Sequence, residues 1–229
     1  MQSSFAFRGR DDLLLWHRRL SPLLERVRPQ PVRRPVGQLV KSMISGRTRD
    51  AVSRAAYDRL VAAFGSPRSV AAADARNVQR VIRDVTFAEA KAAHLVVALR
   101  RIAAERRSFD LDFLADLPLD DALAWLERLP GVGRKVAAST LNASTLSRPV
   151  LIVDSHVLRV LQRLGFVGGH ADGRVASETA TAALPDWQGR NFLNLHIVLK
   201  LVGQIWCRPI APQCDACPLS AACAKRLTE

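Results

Sequence analysis

The sequence predicts an all-α protein, on the basis of three observations. Apolar residues recur at intervals of three and four along most of the chain, which places them on one face of a helix. Glycines and prolines fall between the periodic segments, where they end helices. The strongest strand candidate, the apolar run from Val150 to Val153, has only four residues, so we interpret it as a buried connector.

In the N-terminal half, helical periodicity alternates with short breaks. Residues 11–28 predict a first helix that Pro22 kinks or divides, because proline has no amide hydrogen. A proline-rich linker covers residues 28–35. Helical spacing then predicts further helices, of which the last is long and amphipathic, at residues 36–46, 51–65, 70–73, 77–82 and 88–104.

The C-terminal half continues the helical pattern. A helix that contains Leu123, Trp125 and Leu126 ends at Pro130. The remaining periodic segments are separated by a break at residues 147–149 and by a glycine-rich loop. They predict helices at residues 134–141, 154–164, 175–184 and 190–202.

The composition indicates a nucleic-acid partner. The 229 residues carry a formal net charge of +13, and a basic chain without a low-complexity tail is typical of a protein that binds nucleic acid. Charge alone leaves open a basic protein from an arginine-rich proteome. No apolar run reaches the roughly 18 residues of a membrane span, and the N-terminus lacks the apolar core of a secretory signal. The sequence therefore predicts an intracellular, cytoplasmic protein with reduced thiols.

A glycine turn between two helices forms the first candidate site. In the sequence PGVGR, Pro130 stops one helix and the next begins near Arg134. Gly131 and Gly133 allow positive φ angles and the close approach of another backbone. We expect the amides of Val132, Gly133 and Arg134 to lie unpaired at the start of the second helix, where the helix dipole adds partial positive charge. Such a turn binds an anion, most simply a phosphate.

Two titratable residues follow this turn. Lys135 lies in the first turn of the second helix, so it is either a phosphate contact or an amine nucleophile. A nucleophilic lysine must be neutral; the helix dipole and Arg134 disfavour the ammonium form, whereas a nearby carboxylate favours it. Asp154 precedes a helical run, so we expect it to cap that helix. An ionised capping carboxylate can also stabilise positive charge that develops on a sugar.

All four cysteines fall near the C-terminus, at Cys207, Cys214, Cys217 and Cys223. Their C-x6-C-x2-C-x5-C spacing allows four thiolates to hold one zinc ion or an iron–sulfur cluster. Only Cys214 and Cys217 form a C-x2-C pair, whereas structural zinc sites more often use two such pairs. Disulfides or free thiols are a third interpretation.

Taken together, these motifs resemble a known family. The run LPGVGRKVA, the VDSH motif whose aspartate lies nineteen residues after the lysine, and the four cysteines are similar to the endonuclease III branch of the helix-hairpin-helix DNA glycosylase superfamily. The resemblance covers the chain from about Val32 to Cys223. It implies a six-helix barrel that contains the hairpin at residues 35–147, and a second helical domain made of residues 1–34 and 148–229. It also implies that DNA lies across the groove between them.

The resemblance assigns roles to the candidate residues. Lys135 is implied to attack C1′ of the damaged nucleoside and to form a Schiff base. Asp154, in the VDSH motif, is implied to stabilise the sugar and to relay protons. The cysteine spacing is similar to the [4Fe–4S] loop of the branch at every interval, which implies a [4Fe–4S] cluster and a loop that holds Arg208 beside phosphate.

Two loop residues depart from the family pattern. Arg47 stands where family members carry a glutamine that fills the gap left by the flipped base. Arginine can hydrogen-bond to the orphaned base, or it can hold only phosphate. Phe87 stands where the second wedge is often a leucine, so it either stacks in the gap or is an ordinary core residue.

The sequence therefore predicts a monomeric base-excision repair enzyme. It is expected to act on double-stranded DNA as a glycosylase for oxidised pyrimidines such as thymine glycol and as an abasic-site lyase. One alternative is a monofunctional glycosylase of the same fold, against which Lys135 argues. The other is a non-catalytic, structure-selective DNA-binding protein, in which Lys135 only contacts phosphate.

Overall fold

The computed structural model describes residues 9–223. Residues 1–8, where the sequence predicts no secretory signal, and residues 224–229 lie outside this range. Within it, the chain forms eleven α-helices and three short 3₁₀-helices without a β-strand, which confirms the all-α class. None of the helices in the described range is long and apolar enough to cross a membrane.

The described helices lie close to those that the periodicity predicts. Their bounds are α1 Gly9–Leu20, α2 Pro35–Ser45, α3 Asp50–Phe64, α4 Pro67–Ala72, α5 Ala75–Val81, α6 Ala88–Arg106, α7 Leu119–Glu127, α8 Arg134–Asn142, α9 Ser155–Leu164, α10 Gly173–Ala182 and α11 Gly189–Ile205. A 3₁₀-helix, Ser21–Arg26, follows α1, so Pro22 divides the first predicted helix. The other 3₁₀-helices are Asp112–Ala115 and Ser220–Ala222.

The chain forms two compact units, which are described separately. One unit contains the described parts of Met1–Gln30 and Pro149–Glu229, and therefore α1 and α9 to α11. The other unit, Pro31–Arg148, contains α2 to α8.

In the unit Pro31–Arg148, α6 packs against α4 and α5, and α2 packs against α3 and α8. Leu39 on α2, Leu99 on α6 and Leu141 on α8 are fully buried. Each such leucine stabilises the fold by about 1.5–3 kcal/mol relative to an exposed side chain. The packing of α8 on α2 fixes the helix that carries Lys135.

In the other unit, α11 packs against α9 and α1. Gly203 on α11 permits a close crossing, because a Cβ atom there would lie 2.8 Å from Cβ and 2.9 Å from the carbonyl oxygen of His156. Trp16 and Phe192 are the largest buried side chains of this core. The first turn of α9 is therefore held tightly against α11.

The predicted connector leads directly into α9. Residues 150–153 are at most 3% exposed and form no strand. The Leu151 amide donates to Thr181 Oγ1 at 3.0 Å, and the Leu151 carbonyl accepts from Ser177 Oγ at 2.7 Å. Side chains of α10 thus satisfy the buried backbone that delivers Asp154 to the N-terminus of α9.

Asp154 caps α9, as the sequence predicts. Its Oδ1 accepts hydrogen bonds from the amides of His156 and Val157, each at 2.9 Å. Burial alone would raise the pKa of this carboxyl group. His196, the Val157 amide, Lys200 and His156 outweigh burial and lower the pKa below its ordinary value. The group is therefore ionised at neutral pH.

Replacement of Asp154 by asparagine tests this charge, because asparagine keeps a capping oxygen. The folded-state pKa lies below the unfolded value of about 3.9. The carboxylate therefore stabilises the fold above that pH, and this contribution is lost as the pH falls through the folded-state pKa. We expect Asp154→Asn to lower the free energy of unfolding by about 1 kcal/mol at pH 7, because a negative charge at a helix N-terminus is lost. Urea unfolding should show the two proteins converging in stability as the pH falls through the folded-state pKa; a difference that is independent of pH would contradict the role of the charge.

Candidate functional site

The glycine turn joins α7 to α8, and its apolar residues Leu129 and Val132 are buried. Gly131 adopts a φ angle of +77°. A Cβ atom at this position would lie 2.7 Å from Cβ of His94 on α6. Backbone conformation and space therefore both require glycine at position 131.

One expectation for the turn is wrong, and Gly133 does not use the positive φ angle that glycine allows. The Val132 amide is not unpaired, because it donates to the Leu129 carbonyl at 3.1 Å. Gly133 does not adopt a positive φ angle: its φ of −102° and ψ of −179° are extended values open to any residue. A Cβ atom at Gly133 would also meet nothing within 4 Å. The amides of Gly133 and Arg134 lie at the N-terminus of α8 and are candidate phosphate donors there.

The Arg134 side chain belongs to a largely buried ion pair. Its Nε lies 2.7 Å from Oε1 of Glu127, and the two side chains are 11% and 13% exposed. The pair joins the last turn of α7 to the first turn of α8. Because the side chain is largely buried and the carboxylate balances the guanidinium charge, Arg134 does not present an exposed cation.

Lys135 lies in the first turn of α8, as predicted, and is half-buried. Its Nζ donates to Oγ of Ser42 on α2 at 3.4 Å. A second polar contact joins the same helices, because Gln38 Nε2 donates to Ser139 Oγ at 2.9 Å. The amine is therefore held on the side of α8 that faces α2.

Sequence reasoning missed Lys91 on α6, which lies near Lys135. Its Nζ donates to the carbonyl oxygens of Ile44 at 3.1 Å and Gly46 at 2.5 Å, and to Thr48 Oγ1 at 3.2 Å. Burial, followed by the positive charge of Lys135, lowers the pKa of Lys91 to about 8. The sequence carried little signal for this residue, because its partners lie 43 to 47 residues earlier in the chain.

The two predicted wedge residues lie side by side. Arg47 lies in the turn between α2 and α3, and Phe87 immediately precedes α6. The guanidinium carbon of Arg47 is 5.9 Å from the ring centroid of Phe87, within cation–π range. Both residues have left-handed backbone conformations, with φ angles of 53° and 59°. Phe87 is 59% exposed, so its interpretation as an ordinary core residue is wrong.

The surroundings of Asp154 include two residues of α11 that sequence reasoning did not connect with it. His196 and Lys200 both lower the pKa of Asp154. Nδ1 of His196 lies 2.8 Å from the Ile152 carbonyl oxygen. That contact favours the tautomer that carries a proton on Nδ1, because a carbonyl oxygen can only accept.

The four cysteines follow α11 as half-buried, free thiols. Burial raises the pKa of the Cys217 thiol; the Leu219 amide opposes this, and Cys207, Cys223 and Cys214 raise the pKa further. These sulfurs are therefore near enough to interact electrostatically. Among residues 9–223, however, no three His, Cys, Asp or Glu side chains converge on one metal position.

Arginines of α9 hold the cysteine segment. Arg159 Nε donates to the Cys207 carbonyl at 2.7 Å. Arg163 Nη1 lies 3.4 Å from the Cys207 sulfur and donates to the Arg208 carbonyl at 2.7 Å. The exposed Arg208 side chain donates in turn to the Ile205 carbonyl at 3.0 Å. A segment with four thiols, one of them beside a guanidinium group, has the donor chemistry of an anionic iron–sulfur site.

Comparison with known proteins identifies the family. Residues 40–185 match the HhH-GPD superfamily of base excision DNA repair proteins. Endonuclease III of Thermotoga maritima is 30% identical over 194 residues, which cover 82% of each chain. The chloroplastic endonuclease III homolog 1 of Arabidopsis thaliana is 31% identical over 205 residues, or 87% of this chain. The chain spans about half, 51%, of that longer relative.

Solved structures of similar proteins agree in fold. A structure of a trapped endonuclease III–DNA covalent intermediate matches with a TM-score of 0.77 and 22% identity, over 94% of this chain and 95% of that one. A thermostable thymine-DNA glycosylase matches with a TM-score of 0.74 and 17% identity, over 93% and 96% of the two chains. The fold rests on these likenesses and the family on the sequence matches: the chain belongs to the HhH-GPD superfamily of base excision DNA repair proteins and, within it, to the endonuclease III family of DNA glycosylases and abasic-site lyases.

Proposed function

We propose that this protein is a bifunctional glycosylase and abasic-site lyase that removes oxidised pyrimidines from double-stranded DNA. The observation that carries the proposal is the position of Lys135, half-buried in the first turn of α8 directly after the glycine turn. Its place at the N-terminus of α8 supports it, because the partial positive charge of the helix dipole there disfavours an ammonium group. A neutral amine is the nucleophile that this chemistry needs.

The proposed reaction begins with attack of Lys135 Nζ on C1′ of the damaged nucleoside. The bond between C1′ and the base breaks, its electron pair leaves with the base, and the base takes up a proton. Loss of the amine proton and opening of the sugar ring leave a Schiff base. Removal of a C2′ proton then breaks the C3′–O bond and expels the 3′ phosphate. Water hydrolyses the Schiff base and regenerates the lysine.

Asp154 is assigned the electrostatic role in this reaction. Its lowered pKa keeps it ionised at neutral pH, so it can stabilise positive charge on the sugar and accept or relay a proton. His196 and Lys200 keep the carboxylate ionised, and the capping hydrogen bonds fix its orientation.

DNA binding is proposed to depend on backbone amides and on cations. The amides of Gly133 and Arg134, aided by the dipole of α8, are assigned to one phosphate. Arg208 in the cysteine segment is assigned to another, and the net charge of +13 attracts the duplex as a whole. A base in a duplex must be flipped out before it can react. Arg47 and Phe87 are assigned to the gap that remains.

We infer that Cys207, Cys214, Cys217 and Cys223 hold a [4Fe–4S] cluster. Four free thiols in one short segment support this, as do the guanidinium groups of Arg159 and Arg163, which favour a negatively charged thiolate cluster. When bound, the cluster supplies structural and electrostatic support to the loop that carries Arg208. The reaction proposed above uses no electron from it.

Borohydride trapping tests the role of the Lys135 amine. On duplex DNA with thymine glycol or an abasic site, borohydride should reduce the Schiff base of the wild-type protein to a stable covalent complex. Lys135→Ala should form none. Lys135→Arg, which keeps the positive charge, is the control and should bind DNA without trapping. Tight binding by the wild type without trapping would favour a non-catalytic DNA-binding protein. Base release without trapping would favour a monofunctional glycosylase.

Two glycine variants separate folding from DNA binding. Gly133→Ala should change the free energy of unfolding by less than about 0.5 kcal/mol, since its Cβ meets nothing. It should weaken binding to a duplex with an abasic-site analogue by about 10-fold, because the added methyl group occupies the open space through which a phosphate would approach the amides and so prevents a charged hydrogen bond. Gly131→Ala should destabilise the fold by about 1–3 kcal/mol. Unchanged DNA affinity in Gly133→Ala would show that no phosphate approaches this amide.

The metal content tests the cluster. Anaerobically purified protein should contain about four irons per chain and absorb near ~400 nm, as expected for four thiolate ligands. Cys214→Ser should lose iron and that absorbance together. A colourless protein that contains stoichiometric zinc would exclude the cluster and leave a structural zinc site.

A further inference from the structure

The Lys91 side chain, on α6, contacts the C-terminus of α2. An ammonium group has three N–H donors, and the structure provides three acceptors: the carbonyl oxygens of Ile44 and Gly46 and the hydroxyl of Thr48. The two carbonyls lie at the C-terminus of α2, where helical carbonyls lack partners within their own helix and carry the negative end of the dipole. Lys91 therefore caps α2 through a contact from α6.

The same contacts fix the turn that presents Arg47. Thr48 Oγ1 also accepts a hydrogen bond from the Thr86 amide at 3.1 Å, and the Thr48 amide donates to the Ser45 carbonyl at 3.1 Å. Arg47 lies between two residues that Lys91 contacts and has a φ angle of 53°, which non-glycine residues rarely adopt. A backbone conformation of this kind persists where its surroundings hold it, and the contacts to Gly46 and Thr48 on either side of Arg47 are such supports.

Lys91 also connects the two wedge residues. Its backbone amide donates to the Phe87 carbonyl at 3.0 Å, in the first turn of α6, while its side chain binds the turn of Arg47. Arg47 and Phe87 lie within cation–π range, and the phenyl ring is largely exposed. The side chain of Lys91 thus holds the turn of Arg47, and the cation–π contact places Phe87 beside that turn.

We propose that Lys91 is a positioning residue that preassembles Arg47 and Phe87 into a single wedge for opening the duplex. The inference deepens the proposed function, because it concerns how a base is displaced before Lys135 reacts. An aliphatic side chain at position 91 would be easier to bury than an amine, whose burial is visible in a pKa of about 8. A polar group at position 91 is therefore explained by the three hydrogen-bond acceptors that converge on it.

The proposal separates duplex from single-stranded substrates. Displacing a base from a duplex leaves an orphaned partner and a gap, whereas an abasic site in a single strand has neither. Loss of Lys91 should therefore impair reaction on the duplex and spare it on the single strand. If Lys91 acted instead through the charge of the neighbouring Lys135, reaction on both substrates would fall together.

The test compares wild type, Lys91→Met, Lys91→Arg, Arg47→Ala and the double variant Lys91→Met/Arg47→Ala. Lys91→Met keeps a long side chain but removes its hydrogen-bond donors, and Lys91→Arg restores hydrogen-bond donors. We expect Lys91→Met to lower kcat/KM for abasic-site cleavage about 10-fold or more on duplex, with less than about a twofold change on single strand. Lys91→Arg should recover most of the loss. In the Arg47→Ala background, Lys91→Met should lower kcat/KM on duplex by less than about a further twofold.

Equal losses on both substrates, or additive losses with Arg47→Ala, would overturn the proposal. If Lys91→Met unfolds, Thr48→Val removes one acceptor of the same contact and should show the same preference for loss on duplex. Unstacking is measured without chemistry by the fluorescence of 2-aminopurine beside a non-reactive tetrahydrofuran abasic analogue. The wild-type protein should raise this signal and Lys91→Met should not. This expectation holds even if borohydride traps no covalent complex and the lyase assignment is wrong. An equal rise in both proteins would overturn the proposal that Lys91 assembles the wedge.

Discussion

The close contact between the glycine turn and α6 is the constraint on which the candidate site depends. Only a residue without a side chain fits where Gly131 meets His94, and its left-handed conformation reverses the chain between α7 and α8. This reversal exposes the N-terminus of α8 and sets Lys135 against α2. The buried pair of Arg134 and Glu127 then ties the two helices together beside the turn. The proposed nucleophile owes its position to packing that involves no substrate.

The sequence was sufficient for features that depend on near neighbours in the chain. Helix ends with a local cause were predicted: Pro22 divides the first helix, and Asp154 accepts hydrogen bonds from the next turn of its own helix. The buried connector was recognised because four residues are too few for a stable strand. The all-α class followed from periodicity alone, and the family followed from three short motifs.

Features that depend on distant residues could not be read from the sequence. Lys91 is an ordinary lysine on an alanine-rich helix until α2 brings three acceptors to it. His196 and Lys200 reach Asp154 only because α11 packs on α9. The Val132 amide was expected to be unpaired because the internal hydrogen bond of a turn depends on its exact conformation, which glycine content does not specify. Residue type indicated which chemical groups the candidate site could use, and packing determined which of these groups come together.

The arginines of this chain serve its architecture as well as its charge. Arg134 is neutralised by a carboxylate, and Arg148 donates from Nη1 to the carbonyl oxygens of Leu114, Ala115 and Leu117 inside its own unit. Guanidinium groups directed inward do not exchange small ions when a polyanion arrives. Fewer cations are therefore released from DNA on binding than the number of arginines implies. Part of the positive charge in the composition stabilises the fold and does not attract DNA.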